Sequence, residues 1–196
     1  MKNVMIDLET LGTSAGCVIL SIGAVMFDHD SDDLGDEFYC VVNTGSCLAA
    51  GLRATQDTLD WWNKQSVEAK EVLLHAEEGG FPLTEAMQKL TDFLAVSGLK
   101  QVRVWGNGAD FDNAILVSCY EAANQSTPWT PWNNRCYRTL KNLYPTIKLT
   151  REGTYHNALD DAKTQAKHAI QLLREHHGRS QKTNEPRRKR GRAGSL

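Results

Sequence analysis

Residues 4–10 read VMIDLET: an apolar run that meets two acids, Asp7 and Glu9, on either side of Leu8. Residues 3–6 have the character of a short strand, and Asp7 and Glu9 stand at its end. At positions i and i+2 their side chains project from the same face. Two neighbouring carboxylates repel, and desolvating each costs on the order of several kcal/mol unless a cation lies between them. The plainer reading places both in an exposed loop past the strand. An apolar strand running directly into Asp7 favours metal ligation.

Strand character continues outward from this stretch. Residues 18–27, VILSIGAVMF, form a longer apolar run, and residues 12–16, GTSAG, join it to the first strand as a hairpin-type connector. After an acidic turn over 28–36, a third strand is expected at 37–42, which makes an antiparallel meander. Helical periodicity then takes over at 58–65, 66–75 and 83–95, the last with Leu83, Ala86, Met87, Leu90 and Leu94 on one face. A strand at 101–105 and a helix at 112–123 follow. Residues 127–134, TPWTPWNN, read as loop. A helix at 137–143 stops before Pro145, and a final helix spans 157–176. The pattern predicts an α/β domain with a mixed sheet.

Two further acidic motifs fall where strands or loops become helices. In WGNGADFDNAIL, Asp112 heads the middle helix and Asp110 precedes it; helix capping is the plainer role for an acid here. In YHNALDDAKTQ, Asn157 suits an N-cap, and helical phase separates the two aspartates. Asp160 shares a row with Lys163, Thr164, Lys167 and Gln171, which reads as solvent-facing. Asp161 borders the apolar row Ala158, Ala162, Ala169 and Leu173, and is expected to point inward. His156, five residues ahead of Asp161 on a loop, can reach the same place as a proton acceptor.

Composition bounds the rest. The 196 residues are 41% hydrophobic and 23% charged, with a net charge of −2, which suits one globular domain. Residues 179–196 carry seven basic residues and one acid, leaving −8 on the remainder. An acidic body is unexpected in a protein that merely coats nucleic acid. The chain therefore divides into a domain at 1–178 and a basic, flexible tail at 179–196. Arg187, Arg188, Lys189 and Arg190 in that tail are expected to contact nucleic acid, although the same run can be read as a nuclear signal. Five scattered cysteines with no C-x-x-C spacing indicate reduced thiols and a cytoplasmic setting. No apolar run suggests a membrane span or leader.

Taken together, D-x-E at Asp7 and Glu9, F-D at Asp112, and H-x-x-x-x-D at His156 and Asp161 resemble the motifs of the DEDDh 3′→5′ exonucleases. TLDWWNKQ, WGNGADFDNAIL and NRCYRTL are similar to a phage and prophage subgroup labelled exonuclease VIII-like. One departure is Gly108, where many members carry Asn four positions before the second-motif aspartate. The resemblance implies a ribonuclease H-like mixed sheet, an antiparallel three-strand meander plus parallel strands, flanked by helices.

The resemblance also implies a mechanism and its parts. Two divalent cations, Mg²⁺ or Mn²⁺, about 3.5–4 Å apart, would be held by Asp7, Glu9, Asp112 and Asp161, with His156 as general base. Thr10, Leu11, Trp61 and Trp62 are expected to meet the substrate, one tryptophan by stacking on the terminal base. The plainer reading of the tryptophan pair is one core residue and one partly covered. The expected partner is the 3′ end of single-stranded nucleic acid, DNA favoured over RNA, in a bacterial host cell carrying a phage or prophage. A homodimer is compatible with the sequence. The competing readings are a 3′→5′ exoribonuclease and a catalytically weak nucleic-acid-binding module.

Overall fold

The computed structural model describes residues 1–184, with side chains through residue 178. Five strands form one sheet in the order β3-β2-β1-β4-β5, with β1 at Asn3–Thr10, β2 at Ile19–Phe27, β3 at Glu37–Val41, β4 at Arg103–Gly106 and β5 at Asn134–Cys136. β1, β2 and β3 pair antiparallel, as the expected meander requires, while β4 and β5 run parallel to β1. Every residue of β2 is buried, because the strand lies inside the sheet and is covered on both faces. Its nearly continuous apolar run, interrupted by Ser21, has this cause.

Seven α-helices cover the sheet: α1 (Thr44–Ala49), α2 (Gln56–Asn63), α3 (Val67–Glu78), α4 (Leu83–Ala95), α5 (Ala114–Ala122), α6 (Tyr137–Leu143) and α7 (Ala158–Asn184). Strand alternation divides the apolar residues between two cores. Val4, Ile6 and Leu8 of β1 pack with α3, α4 and α5, including Met87, Leu90 and Leu116. Met5 on the other face packs with Val25, Phe27, Trp105, Tyr137 and the α7 residues Ala162, Ala166 and Ala169. Asp7 and Glu9 continue the Met5 row, so they lie on the face covered by α7.

The structure differs from the sequence expectation at several boundaries. β1 runs on to Thr10, so Asp7 and Glu9 lie within the strand; pairing of Asp7 with Gly23 and Glu9 with Ser21 holds the acidic end in register. α1 was not expected; Asn43 caps it by accepting from Ser46 N at 2.8 Å. Residues expected as loop end in β5, whose Asn134 side chain accepts from Trp129 Nε1 at 2.8 Å. The helix expected to start at Asp112 begins with a π turn, Ala109–Asn113, before α5. α7 extends past the expected end at residue 176 as far as Asn184.

Candidate active site

The C-terminal half of β1 is the foundation. Asp7 and Glu9 stand on the α7 face, and α7 crosses it at an unusually close approach. A methyl group on Gly23, the β-partner of Asp7, would lie 2.1 Å from the carbonyl carbon of Ala158, so only glycine admits the helix here. That approach delivers the first turn of α7 to the two acids. Asn157 caps it, its Oδ1 accepting from the backbone of Leu159 and Asp160 at 3.1 Å each. Asp161 then points inward and is 8% exposed. One turn on, Gln165 donates through Nε2 to Asp7 Oδ1 at 2.7 Å.

The third acidic motif arrives from the other neighbour of β1. Gly106 ends β4, and a methyl group there would meet the Asp112 Cβ at 2.8 Å and the Asn113 Oδ1 at 2.6 Å. Glycine lets the π turn fold back against the strand. Asn113 then locks it by donating to Val104 O at 3.1 Å and Asn134 Oδ1 at 3.0 Å. Asp112, 2% exposed, is directed toward Asp7, while Asp110 stays exposed on the outer side of the turn.

Electrostatics show that the acids form one cluster. Burial pushes the Asp7 carboxyl well above the usual range, with Asp112, Glu9 and Asp161 adding repulsion and Gln165 opposing it. Burial raises Glu9 to about 8; Asp161 and Asp112 add to the shift and Arg151 opposes it. Asp112 is pushed up to about 7 by burial, against backbone donors and the Arg138 charge. Asp161 is raised by burial and steadied by Arg151 and His156. Four carboxylates that resist ionising together are a site for positive charge. Asp112 Oδ2 is also buried without a hydrogen-bond partner. Oxygen donors of this kind suit a hard divalent cation.

His156 joins this group. Its backbone is in the left-handed region, φ 60°, which is uncommon outside glycine and turns the residue toward the cluster. Glu9, His156 and Asp161 each offer one ligand atom, and these lie within 4.8 Å of one another. The imidazole sits edge-on to Trp61 and Trp62, with ring centres 4.9 and 6.1 Å away. Asp160 stands outside the cluster. It accepts from Thr154 N at 2.8 Å and so steadies the His156 loop. Its expected solvent row is partly covered by that loop: Thr164 is 2% exposed, donating to Glu152 O at 3.0 Å.

The two tryptophans divide as helical phase requires. Trp62 is 1% exposed and donates through Nε1 to Thr10 O at 2.8 Å, tying α2 to the end of β1. Trp61 is 42% exposed. Both line a cavity of about 370 Å³ beside Glu9, together with Thr10, Thr58 and Phe111. Leu11 is not among its walls; at 8% exposure it belongs to the main core. Arg187, Arg188, Lys189 and Arg190 lie outside the described residues. Among the described residues no helix is long and apolar enough to cross a membrane.

Sequence reasoning did not single out Gln165, Asn113, Arg138 or Arg151. Gln165 had a local signal, standing four residues after Asp161 on the same helix face. Arg138, in the first turn of α6, donates to Asn107 O beside the π turn, and Arg151, in the loop before α7, pairs with Asp161; neither contact is local in the sequence.

Solved nucleases share this architecture. The nuclease domain of 3′hExo, described as a DEDDh family member and bound to rAMP, superimposes with a TM-score of 0.60 at 14% identity, over 88% of this chain and 92% of that one. Exonuclease I of E. coli, in complex with a dT13 oligonucleotide, gives 0.63 at 12% identity, over 92% of this chain and 42% of that one. The common fold is that of the ribonuclease H-like exonucleases. Within that class the chain belongs to the Rv2179c-like 3′-5′ exoribonuclease domain family, whose model matches residues 2–173. An exodeoxyribonuclease of Enterobacteria phage T4 is 24% identical over 126 residues, 60% of this chain and 55% of the phage protein. The chain thus spans little more than half the length of that relative.

Proposed function

We propose that the protein removes nucleotides from the 3′ end of single-stranded nucleic acid, DNA favoured, with two divalent cations, Mg²⁺ or Mn²⁺, held by Asp7, Glu9, Asp112 and Asp161. The observation that carries this reading is the convergence of these four carboxylates, from three separate segments, on one another and on His156. When bound, the cations supply Lewis acidity at the scissile phosphate and charge for the attacking and leaving oxygens. The remaining work belongs to side chains of this chain. Asp7, oriented by Gln165, feels the charge of all three other acids and would contribute its carboxylate to holding the cations. Glu9 and Asp161, whose ligand atoms lie within 4.8 Å of that of His156, would hold a cation beside the proton acceptor, and the buried, unpartnered Oδ2 of Asp112 would offer it a further oxygen ligand.

His156 takes the proton of the attacking water, its ring held by Trp61 and Trp62 and its ligand atom within 4.8 Å of those of Glu9 and Asp161. The cavity beside Glu9 receives the terminal nucleoside; Trp61 offers it an exposed ring while Trp62 forms a fixed wall. Thr10 borders the same space.

The phage T4 exodeoxyribonuclease supports DNA as substrate and the expected kinship with phage and prophage enzymes. Free cysteines at five positions suit the cytoplasm of such a host. RNA is the second reading, and the description of the matching family as exoribonucleases favours it. Product analysis on 3′- and 5′-labelled DNA and RNA oligonucleotides, with Mg²⁺ or Mn²⁺, tests both. The expected result is release of 5′-mononucleotides from free 3′ ends, abolished by chelator. Cleavage inside a circular single strand, or turnover without metal, would overturn the reading.

A further inference from the structure

Arg151 lies in the loop between α6 and α7, and its guanidinium reaches the acidic cluster from the side of the His156 loop. It pairs with Asp161 Oδ1, and its Cζ sits 3.9 Å from the centre of the Tyr155 ring. Its Nη2 also points at Thr154 O, at 3.5 Å. Its charge is felt at Glu9 as well as at Asp161. The side chain is 26% exposed, yet its Nε is closed off from solvent and has no hydrogen-bond partner. An arginine stacked on an aromatic ring, with one donor satisfied by a carboxylate and another left over, is held in place without being fully engaged.

Asp161 is also one of three groups whose ligand atoms converge within 4.8 Å. A divalent cation placed among them shares its carboxylate with a guanidinium that stays charged at any working pH. The two positive charges repel, and one carboxylate cannot satisfy both at full strength. A phosphate brought into the cluster changes that balance, because the planar guanidinium fork matches phosphate oxygens as well as it matches a carboxylate.

We propose that Arg151 is a positioning residue that divides its attachment between Asp161 and the substrate phosphate, so that divalent cation and nucleic acid bind cooperatively. This rests on the metal-dependent reading above. Cation binding loosens the Arg151–Asp161 pair, and the freed donors meet the phosphate beside them; phosphate binding draws Arg151 off Asp161 and strengthens the hold on the cation. By linkage each ligand favours the other by the same factor. A purely structural clip between the loop and α7 would add nothing to the coupling that direct contact between cation and phosphate supplies, so its removal would leave that coupling unchanged.

The test titrates Mn²⁺ into the full-length protein and the Arg151→Ala variant, followed by electron paramagnetic resonance and calorimetry. Each is measured alone, with saturating AMP as a phosphate-bearing reaction product, and with adenosine as its phosphate-free control. The native protein should bind Mn²⁺ more tightly with AMP than with adenosine, by roughly 5- to 100-fold. Without nucleotide, Arg151→Ala should bind Mn²⁺ more tightly than the native protein, and its gain from AMP should shrink to a few-fold at most. Arg151→Lys, which keeps the charge and the loop but loses the fork, should lie between the two, and it serves if the alanine variant folds poorly. Mn²⁺ affinity unchanged or weakened in Arg151→Ala, or an AMP gain equal to that of the native protein, overturns the proposal and leaves the exonuclease reading intact. Failure of the native protein to bind Mn²⁺ under any of these conditions would instead strike at the metal-dependent reading.

Discussion

Gly23 and Ala158 are in backbone-to-backbone contact across the sheet–helix interface, with room for a hydrogen atom and no more. Because Asp7 is the register partner of Gly23 and Asp161 lies three residues beyond Ala158, this contact sets the spacing between two acids of the cluster. Gly23→Ala must push the start of α7 outward. It should destabilise the fold by about 1–3 kcal/mol and, since misplacement of about 1 Å costs on the order of 100-fold, lower turnover at least that much. Thermal unfolding and single-turnover rates check both; a fully active Gly23→Ala enzyme would show that the spacing is not critical.

Helical phase separates the acids by role. Asp161→Asn and Asp112→Asn should each lower kcat by at least about 10³-fold. Asp160→Asn and Asp110→Asn should keep most activity, because Asp160 supports the loop through Thr154 and Asp110 is exposed. Because burial penalises the Asp112 carboxylate, Asp112→Asn should be more stable than the native protein in chelator, by on the order of 1–3 kcal/mol. Equal losses at Asp160 and Asp161 would mean that the wrong helix face had been assigned.

The raised carboxylates give stability a pH dependence with a definite sign. With Asp112 up to about 7 and Glu9 up to about 8 when folded, the folded chain holds protons that the unfolded chain releases above about pH 4–5. Their contribution is therefore full at low pH and is lost as pH rises through 7 and 8. In chelator, Tm should fall between pH 5.5 and pH 8.5. Saturating Mn²⁺ should raise Tm, and raise it more at pH 8.5, because cation binding must displace fewer protons there. A Tm in chelator that does not change with pH would contradict the buried cluster.

Neighbouring tryptophans should give opposite phenotypes. Trp62→Ala removes a buried ring and its bond to Thr10, and should cost about 3–5 kcal/mol of stability. Trp61→Ala should leave Tm nearly unchanged while raising KM for oligonucleotides by roughly 5- to 100-fold, the loss of one base stack. Calorimetry and steady-state kinetics on the pair decide the matter, and an unaltered KM for Trp61→Ala would remove it from the nucleotide cavity.

His156→Ala should lower kcat by about 10²–10⁴-fold while Mn²⁺ binding persists through the carboxylates. Native rates in that variant would exclude the imidazole as proton acceptor.

Periodicity disclosed where the acids point, while the ribonuclease H-like fold and the roles of the site residues were implied by the family resemblance. The period of two put Asp7 and Glu9 on one face, and the 3.6-residue period turned Asp161 inward and Asp160 away. Those arguments need only neighbours in the chain. β5 was illegible because three residues show no period, and its pairing comes from β4 and the Asn113 amide. The covered state of Thr164 was illegible too, since the loop before α7 folds back over the helix through Glu152. Arg151 had no local mark: an arginine in a polar loop looks like any solvated cation until the fold brings Asp161 to it.

α7 also acts as a ruler. From Asp161 to its last described residue, Asn184, the helix advances about 35 Å at 1.5 Å per residue. The last described turn of the helix therefore lies about that far from the acidic cluster. At about 3.4 Å per stacked nucleotide, a strand needs roughly ten nucleotides to cover that distance. If the carboxylates hold a 3′ end as proposed, a dinucleotide and a long strand would meet the same residues, and only the long strand has the length to span from them to the far end of the helix.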